Sequence, residues 1–202
     1  MAFPPAPWQL RGHAWLSVFR LRRPADERHP AGVYAVALVD YRPDSPLTYH
    51  ELLVGRAVEQ AGRRLSITDI WVDSADSRDG GRALWAIPKE LGDLTLRERR
   101  WGPVTRAAWS VDIVRRPMVR ARFVDVSRLA PRLPFRGGTW QPPLDGHTAP
   151  VAADLSGSSR ALPCWGSWEF DRTGPLGWLA GRRPVASFRM ADFAMSFGRE
   201  VS

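Results

Sequence analysis

Cysteine, histidine and long apolar runs are all scarce in this chain of 202 residues. A single cysteine, Cys164, excludes an intrachain disulfide, and four scattered histidines argue against a structural zinc site. No run of 18 apolar residues occurs, so no membrane-spanning helix is expected. Residues 1–8 lack the basic and apolar regions of a secretory signal. The sequence therefore predicts a cytoplasmic protein with no membrane association and no bound metal.

Lysine is scarcer than arginine to an unusual degree. Lys89 is the only lysine, whereas the chain carries 28 arginines. Arginine can replace lysine as a solvated charge but not as an amine nucleophile, because the guanidinium group stays protonated. The single lysine is therefore a candidate for amine chemistry. The alternative is that one lysine has survived by chance in an arginine-biased composition.

The net charge of +8 raises the question of a nucleic-acid partner. The sequence has no basic run of five or more residues and no nucleic-acid-binding motif. Scattered arginines are typical of a solvated surface whose positive field favours small anions, so no nucleic acid is expected. The basic residues stand in separated doublets, Arg22-Arg23, Arg63-Arg64, Arg99-Arg100, Arg115-Arg116 and Arg182-Arg183.

Strand patterns dominate the chain. Its length and its 44% apolar content predict one domain over residues 1–202 with a buried core. The 18 prolines and 17 glycines interrupt short alternating segments, which favours antiparallel strands over alternating strands and helices. The predicted strands are Leu16–Leu21, Gly32–Asp40, Glu51–Val54, Leu65–Val72, Ala107–Val114, Val119–Val126, Trp165–Phe170 and Val185–Met190.

Two other segments depart from the strand pattern. A helix is predicted to start near Asp79, a candidate N-cap, and to be interrupted by Pro88. Pro88–Leu91 then predicts a second short turn that ends at Gly92. Residues 130–163 are rich in proline and glycine, which predicts a long irregular connection.

The surroundings of Lys89 are apolar, and this matters for its chemistry. At an ordinary pKa near 10.4, only about 1 in 2,500 lysine amines is free at pH 7. Removal from water disfavours the charged form and lowers the pKa of the amine. Trp85, Ile87 and Leu91 are the expected members of such an apolar collar.

Several ordered segments resemble the acetoacetate decarboxylase-like superfamily. Pro5–Leu10 is similar to its N-terminal entry segment, and Val39–Arg42 with Leu47–Val54 is similar to the strand and loop that carry an active-site glutamate. Ile70–Ser74 followed by Gly81–Gly92 is similar to its lysine segment, which is the most specific match. The likeness covers the first half of the chain and is looser in the second half.

The resemblance implies both a fold and a mechanism. The fold is mainly β (α+β), an antiparallel cone- or barrel-like sheet with few short helices, in a homo-oligomer. Lys89 is similar to the lysine that forms a Schiff base, and Glu51 to the acid that moves protons beside it. The implied function is a cofactor-independent carbon–carbon lyase that decarboxylates or otherwise cleaves a small anionic β-keto acid. Trp85 is a candidate pocket residue.

Three positions depart from the superfamily pattern. Glu90 stands where the decarboxylases have a second lysine, and an adjacent carboxylate would raise the pKa of Lys89 if it faced the same pocket. The substrate-binding arginine falls near Arg11 or His13, and the alignment favours His13. A second glutamate falls around Tyr34–Val36 and is absent.

These departures leave the reaction open. An aldolase–dehydratase of the same superfamily would use the same iminium, and a binding protein that has lost turnover would keep the pocket. Reduction with borohydride in the presence of a keto acid separates the classes, because an imine leaves a stable adduct on Lys89. Lys89→Arg is expected to fold and to lose that adduct.

Overall fold

The computed structural model describes residues 3–60 and 62–200, with side chains as far as residue 198. Met1, Ala2, Ala61, Val201 and Ser202 lie outside the described residues. Within the described part of the chain, no helix is both long enough and apolar enough to cross a membrane.

The described residues form twelve strands and one α-helix. The strands are β1 (Trp8–Leu21), β2 (Gly32–Tyr41), β3 (Tyr49–Val58), β4 (Arg64–Val72), β5 (Lys89–Leu91), β6 (Asp93–Trp101), β7 (Val104–Ile113), β8 (Arg116–Asp125), β9 (Arg132–Gln141), β10 (Val151–Pro163), β11 (Trp165–Phe170) and β12 (Ala186–Glu200). The helix is α1 (Ala75–Trp85), and short 3-10 turns occur at Ser127–Leu129 and Gly177–Leu179. The predicted mainly β fold with few short helices is confirmed.

Seven strands close into a barrel in the order β3-β2-β1-β12-β10-β9-β4, because β4 also pairs with β3. Most neighbours are antiparallel, and the β9–β4 contact is parallel and limited to the pairing of Thr139 with Leu65. β5 continues the sheet beyond β4 as a short parallel strand. A second sheet, in the order β11-β8-β7-β6, packs on the barrel. Closure leaves an interior that side chains fill only in part.

Alternation along β2 separates two cores. Tyr34, Val36 and Leu38 belong to the core between the barrel and the second sheet. Val39 and Tyr41 point the opposite way, into the core inside the barrel. Successive side chains of a strand face opposite sides, so residue parity on β2 and β3 decides which side chains enter the barrel.

The predicted helix start was wrong. The N-cap of α1 is Ser74, five residues before Asp79, and its side chain accepts a hydrogen bond from the Ser77 amide at 3.2 Å. Ser74 has an extended backbone and satisfies an amide of the first turn, so it caps the helix, whereas Asp79 lies inside it. The turn predicted at Pro88–Leu91 is also wrong, because Lys89–Leu91 forms β5.

Residues 130–163 are not the predicted irregular connection. They contain β9 and β10, which pair antiparallel from Val151 opposite Gln141 to Arg160 opposite Arg132. Proline and glycine favour turns, but Pro134 and Gly137 lie within β9 and keep the extended backbone. Tertiary pairing therefore overrides the local preference, and only residues 142–150 connect the two strands irregularly.

Candidate active site

The position of Lys89 follows from how α1 ends. Ala86 adopts a left-handed conformation with φ 53°, and the amide of Ile87 donates to the carbonyl of Gly81 at 3.1 Å. Pro88 cannot continue a helix and keeps the residue before it extended. The chain therefore enters β5, where Lys89 lies opposite Ile70 of β4 and faces inward.

Glu51 reaches the interior through the alternation of β3. Tyr49 and Glu51 are two residues apart and face the barrel interior, whereas Leu52 faces the core beneath the second sheet. Tyr41 lies directly opposite Tyr49 in the β2–β3 ladder, with the two rings stacked at 4.4 Å. Three polar side chains thus reach one patch of the barrel wall.

One face of α1 completes the site. Ser77, Gly81 and Trp85 are spaced by four residues, so they lie on the same side of the helix. All three are buried. Trp85 packs edge-on against Trp8 and Phe197, with ring centres 4.8 and 4.7 Å apart.

The central feature is a buried ion pair. Lys89 Nζ lies 2.9 Å from Glu51 Oε2, and the two residues are only 4% and 3% exposed. The ammonium has three protons to donate, and its other two acceptors are Ser77 Oγ at 2.9 Å and Tyr49 Oη at 3.4 Å. Tyr41 Oη donates to the second carboxylate oxygen of Glu51 at 3.2 Å. Both charges are therefore held in fixed positions.

The electrostatics of Lys89 differ from the sequence-based expectation. Burial is the largest single influence and lowers the pKa of the amine, as expected. The charge of Glu51, together with Tyr49 and the hydrogen bonds from both, outweighs burial and leaves the pKa raised above its ordinary value of 10.5. The resting site is thus an ammonium–carboxylate pair, and the uncharged amine has to arise by proton transfer.

The two tyrosines remain neutral phenols. Burial raises the pKa of Tyr41 well above its ordinary value, and the charge of Glu51 raises it further. Burial also raises the pKa of Tyr49, against the opposing effect of Lys89. Both hydroxyl groups therefore keep their protons at neutral pH; Tyr41 donates its proton to Glu51, and Tyr49 accepts a hydrogen bond from Lys89.

A cavity of about 130 Å³ lies beside the ion pair inside the barrel. Its wall is mostly apolar and aromatic, with contributions from both halves of the chain. Lys89 and Glu51 are the only charged side chains on that wall among the described residues. A mostly apolar cavity with a few convergent polar groups is the usual form of a small-molecule site.

Arg11 and His13, the predicted substrate-binding residues, do not line this cavity. Trp8 and Leu10 face the barrel interior, so odd-numbered residues of β1 face outward. Both side chains border a separate open groove, where His13 Nδ1 accepts from the Asp192 amide at 2.9 Å. A role for them at Lys89 therefore has no geometric support.

Glu90 also lies outside the pocket. It alternates with Lys89 on β5, so its side chain points away and is 63% exposed. It pairs with Arg82 at 3.0 Å. Leu91 is likewise exposed, so the predicted collar consists of Trp85 and Ile87 without Leu91.

Sequence reasoning missed the polar partners of the pair. Tyr49 stands two residues before Glu51, and this spacing alone would have placed it on the same strand face. Ser77 would have followed from the four-residue spacing to Trp85. Prediction of Tyr41 as a site residue would have needed the register between β2 and β3. Prediction of Thr139 and Leu155 as wall residues would have needed the strand pairing of the second half of the chain. Local sequence specifies neither.

No group of three or more histidine, cysteine, aspartate or glutamate residues in the described part of the chain could hold a metal ion. The charged groups on the cavity wall among the described residues are the Lys89 amine and the Glu51 carboxylate. An amine beside a carboxylate, next to an apolar space, can form an imine and transfer protons.

Gly81→Ala tests how tightly the lysine stem is held. A Cβ at this position would lie 2.7 Å from Lys89 Cδ and 2.8 Å from its Cε, so the stem must move. Alanine favours a helix by about 1 kcal/mol, against an overpacking cost of about 1–3 kcal/mol, so stability should change little. Displacement of about 1 Å should slow reductive labelling of Lys89 by about 10²-fold.

Gly137→Ala is the matched control for this variant. Its added Cβ would meet Leu155 no closer than 3.6 Å, which is an ordinary contact. Labelling kinetics read by peptide mass spectrometry should match the wild type in the control. An unchanged labelling rate in Gly81→Ala would show that the stem has room to adapt.

Comparison with solved structures identifies proteins that share this fold. Solved structures that share this fold are acetoacetate decarboxylase and enzymes described as acetoacetate decarboxylase-like. The chain therefore has the fold of that superfamily, and the resemblance predicted from its first half is confirmed at the level of the fold. No protein-family model matches the sequence, and no curated protein matches it either.

Three solved structures with this fold each align with nearly the whole chain. Acetoacetate decarboxylase from Legionella pneumophila is 15% identical over 100% of this chain and 90% of its own, with a TM-score of 0.64. An acetoacetate decarboxylase-like enzyme from Sphingomonas wittichii RW1 is 16% identical over 99% and 94%, with a TM-score of 0.63. The enduracididine biosynthesis enzyme MppR, complexed with pyruvate, is 15% identical over 98% and 91%, with a TM-score of 0.64.

Proposed function

We propose that this protein is a cofactor-independent enzyme that makes or breaks a carbon–carbon bond through an imine on Lys89. The observation that carries the proposal is the 2.9 Å pair of Lys89 Nζ and Glu51 Oε2 beside a cavity of about 130 Å³. The buried amine can act as the nucleophile of an imine, and the carboxylate beside it lies within reach to transfer its proton.

The first step forms the imine. The resting ammonium gives one proton to Glu51 along their hydrogen bond, and the neutral amine attacks the carbonyl carbon of the substrate. The carbonyl oxygen leaves as water with two of the three ammonium protons. The third stays on the iminium nitrogen, and Glu51 ends as a carboxylate, so protons and charge balance.

The second step uses the iminium as an electron acceptor. In a β-keto acid, the bond to the carboxylate breaks, its electron pair forms an enamine, and carbon dioxide leaves. Glu51 takes up one proton from solvent and delivers it to the enamine carbon, so it is again a carboxylate. Water then hydrolyses the iminium, which releases the ketone and returns Lys89 as the ammonium. This is the reaction that the resemblance implies.

Aldol-type condensation is the second candidate, and one feature of the site favours it. The second lysine of the decarboxylases is replaced by Glu90, which points out of the cavity. The neighbour MppR is also known complexed with the condensation product of pyruvate and imidazole 4-carboxaldehyde. In that reaction Glu51 would remove an α-proton from the iminium, and the enamine would attack a second carbonyl carbon.

Reductive trapping tests the proposal. The wild-type protein is incubated with a ketone and cyanoborohydride at pH 7, and the Lys89 peptide is examined by mass spectrometry. An imine is expected to leave a stable alkyl adduct on Lys89, whereas Lys89→Arg should leave none, because guanidinium forms no imine. The only other amine is the N-terminus, which lies on a different peptide.

An unmodified Lys89 at saturating ketone would contradict the proposal and favour a binding protein without turnover. With trapping established, carbon dioxide release separates decarboxylation from condensation. A homo-oligomeric state and a cytoplasmic location, both predicted from the sequence, stay predictions that sedimentation and cell fractionation can check.

A further inference from the structure

The charges on the cavity wall balance without any substrate. Glu51 and Lys89 carry opposite charges, and they are the only charged side chains on the wall among the described residues. Tyr41 and Tyr49 remain neutral, because burial raises the pKa of each phenol. The empty site therefore has no net charge.

An anionic substrate would disturb that balance. Conversion of the Lys89 ammonium to an iminium keeps one positive charge, which Glu51 already neutralises at 2.9 Å. A carboxylate on the substrate would add an unpaired negative charge inside an apolar cavity. Burial of an unpaired charge is strongly unfavourable. A neutral ketone or aldehyde leaves the pair intact.

No arginine among the described residues lines the cavity. Arg64 lies beside the wall at Gly138, where its Nη1 pairs with Asp154 at 2.8 Å and donates to the carbonyl of Ala153 at 3.2 Å. Arg11 lies on the outer face of β1 and lines a different groove.

The remaining wall selects for apolar groups of limited size. Ile67, Leu155 and Phe197 are among the side chains that face the cavity. Thr139 Oγ1 is a buried wall hydroxyl with no hydrogen-bond partner among the described residues, so it suits one neutral polar group. A cavity of about 130 Å³ approaches the roughly 150 Å³ apolar cavity that admits benzene in another protein.

We infer that the substrate that forms the imine is an uncharged ketone or aldehyde with an apolar body of about six or seven non-hydrogen atoms, and not a keto acid. This inference rests on the proposed imine chemistry of Lys89, and of the two candidate reactions it retains the condensation, because decarboxylation requires a keto acid. It also assigns the decisive role in substrate choice to the charge balance of the wall, where Glu51 and Lys89 already form a complete pair.

Two ketones with the same skeleton test the inference. In 4-methyl-2-pentanone, two methyl groups replace the two carboxylate oxygens of acetoacetate, so shape and size are matched while charge differs. Reductive trapping on Lys89 is measured against ketone concentration at pH 7, after correction for the intrinsic rate of each ketone with free Nα-acetyl-lysine. The neutral ketone should reach half-maximal trapping at a concentration at least about tenfold lower.

Each outcome decides a different claim. Equal or tighter trapping of acetoacetate would overturn the inference on substrate class but leave the imine mechanism in place. If neither ketone modifies Lys89, the proposed function itself fails, and the inference fails with it. Lys89→Arg serves as the blank for both ketones, because it keeps a cation at this position without an amine.

Discussion

Replacement of Lys89 by methionine should lower the free energy of unfolding by about 3–5 kcal/mol at pH 7. Methionine has a similar length and no charge, so Glu51 would remain as a lone carboxylate that is only 3% exposed. Such a group must stay charged at a high desolvation cost or take up a proton. The measurement is chemical denaturation of the wild type and the variant.

A double variant separates charge from packing. In Lys89→Met/Glu51→Gln no charge is buried, and the glutamine oxygen can still accept the hydrogen bond from Tyr41. Most of the lost stability should therefore return. Replacement of a buried ion pair by uncharged groups is often close to neutral.

The exposed pair beside the site provides the control. Glu90→Gln removes one of the two carboxylates that pair with Arg82, the other being Asp145. Glu90 is 63% exposed, and its pair contributes at most about 1 kcal/mol. If Lys89→Met lowered the free energy of unfolding by no more than Glu90→Gln does, the buried pair would be more hydrated than its geometry indicates.

The pH of the comparison matters because the pKa of Lys89 is raised in the folded protein. A raised pKa means that the folded state holds the proton more tightly than the unfolded state does. The stabilisation is therefore complete below the ordinary value of 10.5 and is lost as the pH rises through the higher folded value. Denaturation at pH 7 measures the full contribution of the pair.

The barrel strands were predictable because their alternation is strong and local. Gly32–Asp40 differs from β2 by one residue, and Trp165–Phe170 coincides with β11. The ends of β1 were harder to predict, because Trp8 and Leu10 alternate with exposed residues but follow a segment rich in proline. β9 and β10 were missed, because their extended form depends on pairing with each other and with β12.

The buried pair of Lys89 and Glu51 was predictable for a different reason. Lys89 is singled out by composition and Glu51 by resemblance, and neither argument needs the barrel. The fold adds the direction in which each residue faces. Glu90 faces away because Lys89–Leu91 is a strand and not a turn, and Arg11 and His13 face outward through the alternation of β1. The direction in which a strand residue points depends on the register of its strand. The matched sequence segments alone do not specify that register.

Glu51→Gln should make Lys89 more reactive towards small aldehydes while it reduces turnover. Burial lowers the pKa of Lys89, and the charge of Glu51 is the largest effect that raises it. Glutamine removes that charge, so burial dominates and the pKa should fall below 10.5. More free amine is then present at neutral pH, and each unit of downward shift gives about a tenfold gain.

The measurement is the rate of reductive methylation of Lys89 with formaldehyde and cyanoborohydride, read on its peptide between pH 6 and pH 10. The profile of Glu51→Gln should move to lower pH, whereas Glu90→Gln should retain the wild-type profile, because its carboxylate points away. An unshifted profile would mean that Glu51 does not hold the proton on Lys89. A shift of the profile to higher pH would show that burial does not lower the pKa of Lys89.

Turnover should respond in the opposite direction in the same variant. Glutamine cannot accept the proton of the ammonium or return a proton to the enamine carbon, so product formation should fall by about 10²–10⁴-fold. Faster imine formation with slower turnover is a combination that a merely structural role of Glu51 would not produce, since loss of structure would slow both. The hydrogen bond from Tyr41 fixes the carboxylate at 3.2 Å, which orients it for both transfers. In the proposed mechanism, the same carboxylate keeps the lysine protonated at rest and supplies the base that activates it when a carbonyl group enters the cavity.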